Sequence, residues 1–434
     1  MGVVVVIDPG HGGENLGGFT DEFVEKELTI KVAKYMQERL RQYDGVEVYL
    51  THENTSDPDL GREERAKIAK SYNADFLYSI HFNMSSDHTL YGCEVWTSAF
   101  GEYYKKGQEF AGIEMEGLKG LGFYDRGIKT RLGKNGDDYY GIILNAKKEG
   151  IPAVIIEHCH MDEDRDADYL RSHGEDAYKT FGYTDADAVA KYFHLSSSTL
   201  GVDYSNYTYN SVPLPTAVMG PDLTPADECY VELISTDDEA CTAKIKITAK
   251  DAESKMLYYR LSYDGGVTFG KTFPWSTDKE AKVPVDDDSI EVDVDLAAKS
   301  ERDLVVKVYN RLDRKADSNV ITLPAKKEAV EESMEEESID ETGLSVTDGS
   351  GDLSEGEFAL DSDDYSNNEN YTEVNIDTTA RNVDDNNGGM GILILAIGIM
   401  IAAIATIGYG VFLYDRKQKA RRERNIRRKQ TGKY

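Results

Sequence analysis

Histidine is missing from the last 240 residues of this 434-residue chain, because all eight lie before position 195. Imidazole chemistry is therefore confined to the N-terminal segment, and a histidine-based metal site farther along is excluded. Cysteine is scarce too. The four residues Cys93, Cys159, Cys229 and Cys241 are too few for a disulfide framework and include no CxxC pair. Basic residues are outnumbered, 49 Lys/Arg against 80 Asp/Glu, for a net charge of −31. Ten of the 49 fall in residues 415–434 against two acids, a local +8, which leaves −39 on the first 414 residues. A body this acidic repels phosphate, so nucleic-acid binding is disfavoured. The opening MGVVVVIDPG has no basic region and reaches Asp8 after a short apolar run, so it is not a signal peptide.

What is present divides the chain into unlike parts. Residues 391–414 run 24 positions without a charge, long enough for one transmembrane helix, and the basic tail 415–434 behind them predicts a cytoplasmic C-terminus. The remainder would then face outward in the cell membrane, with an export signal expected upstream of Met1. Residues 326–390 are rich in Asp, Glu, Ser and Asn and read as a disordered acidic tether. Between 204 and 325, alternating runs at 243–249, 256–263, 291–296 and 303–310, with Asp264-Gly265-Gly266 as a turn, predict an all-β sandwich. YYRLSYDGGVTF and VVKVYNRLDRKADSNVITL there resemble immunoglobulin-like or fibronectin-type modules. Cys229 and Cys241 flank its first strands, and two free buried thiols are expected rather than a pair.

Residues 1–195 alternate strand and helix. Val3 to Ile7 is a continuous apolar run, and Leu28, Val32, Met36 and Leu40 mark one helix face. Further strands are expected at 46–50, 76–80, 93–96 and 152–156, and helices near 60–72, 102–119, 137–149, 165–172 and 185–194. This is an α/β layer with a largely parallel sheet flanked by helices. His11, His81 and Glu157 all fall at C-terminal strand ends, the edge where α/β sheets form their sites. Glu25 stands near the start of the next helix, with Glu22 and Glu27 as rivals. Glycines around His11 permit a close approach by a ligand. Two histidines and a carboxylate make a donor set suited to catalytic zinc.

The order IDPGHGG, EK opening a helix, LGREERAKIAKSYNADFLYSIHFN, GCEVW, RGIK and IPAVIIEHCHMDEDRDADYL resembles the zinc-dependent N-acetylmuramoyl-L-alanine amidases of bacterial cell walls, over residues 3–193. The resemblance implies Zn2+ held by His11, Glu25 and His81, with Glu157 as the catalytic carboxylate and Arg65 in a structural role. It favours Glu25 over Glu22 and Glu27. After Glu157 the chain departs from the family, with His158, Cys159, His160, Met161 and Asp162 where a Gly-Phe-type pair and Ser-Asn are usual. If the strand continues, Glu157 and Cys159 share one face and His158 and His160 the other. Cys159 reads as a buried thiol, the acids at 162–168 as a solvated helix start, and His52, His88, His173 and His194 as surface or packing residues. Residues 98–135 are the expected cleft wall or lid.

The implied activity is hydrolysis of the amide between N-acetylmuramic acid and L-alanine in peptidoglycan, for cell-wall remodelling or daughter-cell separation, in an envelope suited to a Gram-positive cell. Its rivals are a catalytically silent peptidoglycan-binding or adhesion protein on the same fold, and a zinc peptidase cutting between amino acids.

Overall fold

A computed structural model describes residues 2–297 and 299–326, so the expected acidic tether (from 327 on), membrane span and basic tail lie outside the described residues. Among the described residues no helix is long and apolar enough to cross a membrane.

The N-terminal region runs β1 (Val3–Pro9), α1 (Glu25–Leu40), β2 (Val46–Leu50), α2 (Arg62–Ser71), β3 (Phe76–Asn83), β4 (Cys93–Thr97), α3 (Gly101–Gly120), β5 (Asp125–Lys129), α4 (Gly141–Lys148), β6 (Ala153–His160), α5 (Asp164–His173) and α6 (Glu175–Tyr192). Its six strands lie in the order β2-β1-β3-β6-β4-β5, and only the β4–β6 pair is antiparallel. The sequence predicts most of this. It misses β5, and it starts the last helix at 185, ten residues late.

Strand residues alternate between two cores. Val5, Ile7, Tyr78 and Ile156 join Leu28, Val32, Met36 and Leu40 of α1 with residues of α3 and α6, whereas Val6, Leu77 and Ile155 pack with Ala69 of α2 and Ile142, Ile143 and Ala146 of α4. Both faces of the sheet are thus covered, as parallel strands require. From β1 the chain goes out through α1 to β2, then returns through α2 to β3 on the other side of β1. The strand order reverses at β1/β3, so a crevice opens beyond their C-terminal ends.

A short pair, β7 (Ser196–Ser197) and β8 (Val202–Asp203), leads out of this region. Tyr204, Tyr207 and Tyr209 still pack on the α/β core, and Met219 N bonds Ala99 O. The strands of the second region therefore begin not near 204 but at β9 (Glu228–Asp237), followed by β10 (Thr242–Lys250), β11 (Met256–Ser262), β12 (Thr272–Pro274), β13 (Ser289–Asp295), β14 (Arg302–Asn310), β15 (Lys315–Asp317) and β16 (Ile321–Leu323). One sheet is β13-β10-β9, and the other is β12-β11-β14-β15 with β16 also on β14. Ile245, Ile247 and Val292 of the first meet Tyr259, Val306 and Val308 of the second, with Trp275 just past β12, in one core. Strand β9 escapes sequence detection because it is an edge strand with only Val231 buried. Cys229 pairs opposite Ala249 while Cys241 precedes Thr242, at the two ends of β10. At ~3.4 Å per residue that is ~24 Å, too far for a disulfide, and both thiols are free but only half-buried, not buried as expected.

Helices α1 and α6 approach closely at Gly182 of α6, where an added Cβ would stand 2.6 Å from both Met36 N and Val32 O of α1. Backbone atoms cannot yield as a side chain can, so Gly182→Ala should force the helices apart and destabilise by about 1–3 kcal/mol. The urea midpoint should fall accordingly, and an unchanged midpoint would mean that α6 relaxes freely.

Candidate metal centre

Three side chains from three elements converge in the crevice. His11 follows β1, Glu25 is the first residue of α1, and His81 lies near the end of β3. Their donor atoms all lie within 4.8 Å of one another, the one such cluster of potential metal-binding residues among those described. His11 Nε2 is 3.0 Å from Glu25 Oε2, and His81 Nδ1 is 2.9 Å from Glu25 Oε1. Glu22 instead pairs with Arg171 and Glu27 is exposed, so of the three acids it is Glu25 that lies with the two histidines.

Glu25 is 5% exposed. Burial opposes its charge, but hydrogen bonds to His11 and His81 outweigh burial and hold the carboxyl well below its usual range. Gly18 N and Phe82 N donate to it at 2.7 and 3.2 Å, and the helix dipole favours a carboxylate there. His11 loses basicity by burial but regains more from Glu25, ending above its ordinary value.

The loop carrying His11 needs support, since His11 sits at φ 67°, a region disfavoured for a residue with a Cβ. Arg65 supplies it. Its guanidinium donates to Asp8 Oδ1 at 2.8 Å, Pro9 O at 2.7 Å and His11 O at 2.8 Å. Asn15 Oδ1 lies 3.1 Å from His11 Nδ1 and so turns Nε2 toward Glu25. Gly17 closes the cradle at φ 70°, where a Cβ would come within 2.5 Å of Glu25 Oε2 and 2.6 Å of His11 Cδ2.

Glu157 lines the same cleft of about 460 Å³. It is the register partner of His81 on one side and of Glu94 on the other. Its Oε2 is buried without a hydrogen-bond partner. Burial, then the Glu25 and Glu94 carboxylates, push its pKa well above the ordinary range. Beyond Glu157 the strand does not simply alternate. His81 faces Glu157 but Asn83 faces His160, so β6 carries one extra residue. The expected faces are therefore corrected for two residues: His160 lines one cleft with Glu157 and Cys159 joins the α/β core, while His158 lies opposite Glu157 as expected and stacks on Phe82 and Phe181. His158 Nδ1 is 3.1 Å from His81 O and its Nε2 is 3.1 Å from Asp185. Burial pushes the Cys159 thiol well up, which suits an inert thiol.

Other expectations fare unevenly. The acids after Glu157 are not all solvated: Asp166 is buried and accepts from Gly92 N and His160 N, and Asp162 accepts from Ser85 N. His88, His173 and His194 are exposed, and His52 is buried beside Thr51. Residues 98–135 do not wall the main cleft, whose rim comes from Asp59, Leu60, Gly61, Arg62, Tyr140 and Gly141.

Sequence reasoning also missed Glu94, Arg126 and Lys129. Glu94 Oε2 accepts from Arg126 Nε at 2.6 Å and from Lys129 Nζ at 2.5 Å, with all three residues buried. Burial opposes the Glu94 charge, but the two cations outweigh it and hold the carboxyl low. The signal was present in GCEVW and RGIK: an acid inside an apolar strand requires cationic partners.

These residues occupy a segment with known relatives. The sequence signature of the N-acetylmuramoyl-L-alanine amidase family matches residues 5–191. Those residues belong to that family. The N-acetylmuramoyl-L-alanine amidase CwlM of Bacillus licheniformis is 28% identical over 202 residues, 45% of this chain and 71% of that protein. The sporulation-specific N-acetylmuramoyl-L-alanine amidase of Bacillus subtilis is 29% identical over 39% of this chain and 61% of its own length. Among solved structures, the catalytic domain of CwlV from Bacillus (Paenibacillus) polymyxa is 26% identical over 44% of this chain and 97% of its own, with a TM-score of 0.37.

Within the amidase domain, Glu94→Gln would leave Arg126 and Lys129 without their shared anion. The cost should be about 3 kcal/mol, read as a lowered denaturant midpoint, and an unshifted midpoint would mean that water or Asp313 replaces Glu94 at no cost.

Proposed function

We propose that the amidase domain hydrolyses the amide joining the lactyl group of N-acetylmuramic acid to L-alanine in peptidoglycan, with zinc held by His11, Glu25 and His81. The observation that carries this reading is the convergence of two imidazoles and a buried carboxylate beside the unpartnered Glu157 oxygen, within one cleft. The donor set fits the metal: two nitrogens and one carboxylate oxygen leave a position for water, and glycine at 17 keeps the cradle open. Bound there, zinc would lower the pKa of water and stabilise negative charge on the carbonyl oxygen.

The chain's own groups do the rest. Asn15 and Arg65 fix the His11 ring and its loop, and Glu25 holds both imidazoles in register. Glu157 Oε2 takes the proton from the attacking water and returns it to the departing alanine nitrogen. Its raised proton affinity, set by burial and by the Glu25 and Glu94 carboxylates, suits the second half of that transfer, delivery of the proton to nitrogen.

Mass analysis of digested peptidoglycan tests this. The products should be glycan strands free of L-alanine and peptides beginning with it, and chelator should abolish them. Glu157→Gln should retain metal and lose about 10²–10⁴-fold in turnover, while His81→Ala should lose the metal. Products that keep the muramoyl-alanine link would replace this reading with a peptidase, and full activity in Glu157→Gln would assign the base elsewhere.

We also propose that residues 391–414 anchor the protein in the cell membrane with the amidase domain outside, supported by the charge-free run and the basic residues behind it. A role in wall remodelling or daughter-cell separation fits that position. The full chain should sediment with membranes and be released by detergent, and release by alkaline carbonate alone would refute the anchor.

A further inference from the structure

The cleft of the amidase domain continues past Glu157. Asn83, Met84, Tyr140 and Glu157 line both the cleft described above and a second one of about 370 Å³. The far wall of the second cleft belongs to the β-rich region, through Tyr309, Asp313 and Lys315.

That wall is built in place. Arg126, 1% exposed, donates to Asp313 Oδ2 at 2.8 Å and to Tyr258 Oη at 3.1 Å. Tyr124 Oη donates to Leu257 O at 2.6 Å, and Asp125 N to Lys282 O at 2.9 Å. Leu90, Tyr91 and Tyr124 of the amidase domain form a buried cluster with Leu257, Tyr258 and Tyr309. The described residues of both regions fall in one compact unit.

The charges in this cleft are unevenly satisfied. Glu94 is held by Arg126 and Lys129, Asp313 by Arg126, and Asp87 by Arg260 at 2.9 Å. Lys315 is exposed, leans on the Tyr309 ring with Nζ 5.5 Å from the centroid, and makes no ion pair among the described residues. Among the described residues its ammonium thus has no anionic partner, and it lines a cleft that begins at the proposed catalytic carboxylate.

We propose that this second cleft is a subsite for the stem peptide of peptidoglycan, in which Lys315 of the β-rich region takes a free carboxylate of that peptide. The inference rests on the amidase reading and names which part of the substrate lies on which side of Glu157. Charge decides between the two parts. The glycan side of the scissile amide is a neutral sugar with its lactyl carboxyl tied up in the bond, whereas the peptide side carries the nearest anion, the α-carboxylate of the glutamate following L-alanine. An extended peptide rises about 3.3–3.6 Å per residue, so that anion lies one to two residues beyond the bond, in the space next to Glu157.

The full chain in detergent is assayed on soluble peptidoglycan fragments whose stem glutamate is either free or amidated. Lys315→Met should raise KM for the free-acid fragments roughly fivefold to tenfold, as expected for loss of a partly exposed charge-assisted contact. It should change kcat less than twofold and leave KM for the amidated fragments as in the parent. Lys315→Arg should restore the difference. An unchanged KM in Lys315→Met, or an equal loss on both fragments, overturns the subsite while the amidase reading stands. If the parent chain cleaves neither fragment, the amidase reading itself fails.

Discussion

Glu25 is a carboxylate almost wholly withdrawn from water and held charged between two imidazoles. Leaving such a group uncompensated would cost several kcal/mol, and the surrounding architecture can be read as the means of compensating it. The apolar stripe of α1 docks the helix on the sheet so that its first residue faces the crevice. The helix start supplies a favourable dipole, and Gly18 N and Phe82 N supply donors. Gly17 lets the loop pass within contact of both Glu25 and His11. Arg65 grips three oxygens of the segment around His11, which offsets the unfavourable backbone conformation there.

A second group of buried charges lies one strand farther on. Glu94 stands beside Glu157 in register and raises its proton affinity, while Arg126 and Lys129 pull in the opposite direction. Arg126 completes its hydrogen bonds only with Tyr258 and Asp313 of the β-rich region. A buried guanidinium needs those partners, so the docking of the second region contributes to the electrostatics around Glu157. The sequence suggests a spacer there, because alternating strands without histidine carry no sign of a functional contact. The structure instead makes the β-rich region a wall of the second cleft.

Much of the fold is legible in the residues because its determinants are local. The apolar run at β1 and the four-residue spacing of α1 each define an element by periodicity, and glycine, histidine and glutamate at their ends mark the site. What escapes depends on distant partners. Strand β9 hides because an edge strand need not alternate, and residues 204–209 read as sandwich because their tyrosines do not reveal which core they cover. Glu94 was visible as an acid in an apolar strand, but its meaning requires knowing that RGIK forms the neighbouring strand β5. Residues 98–135 look like a lid from their glycines and lysines, yet α3 turns Phe110, Ala111 and Leu118 into the core.

The bulge in β6 shows why period-two reasoning fails at this rim. One extra residue after Glu157 reverses the faces that follow, which carries Cys159 into the apolar core and brings His160 to the second cleft. His158 keeps the face that alternation gives it, with Ile156 and opposite Glu157, and there Asp185 braces one ring nitrogen while the other meets the carbonyl of His81. A bulge interrupts the ladder between neighbouring strands, and a polar backbone group left without a ladder partner needs another. His158 gives the His81 carbonyl such a partner, which braces the strand that carries His81 just where the register shifts.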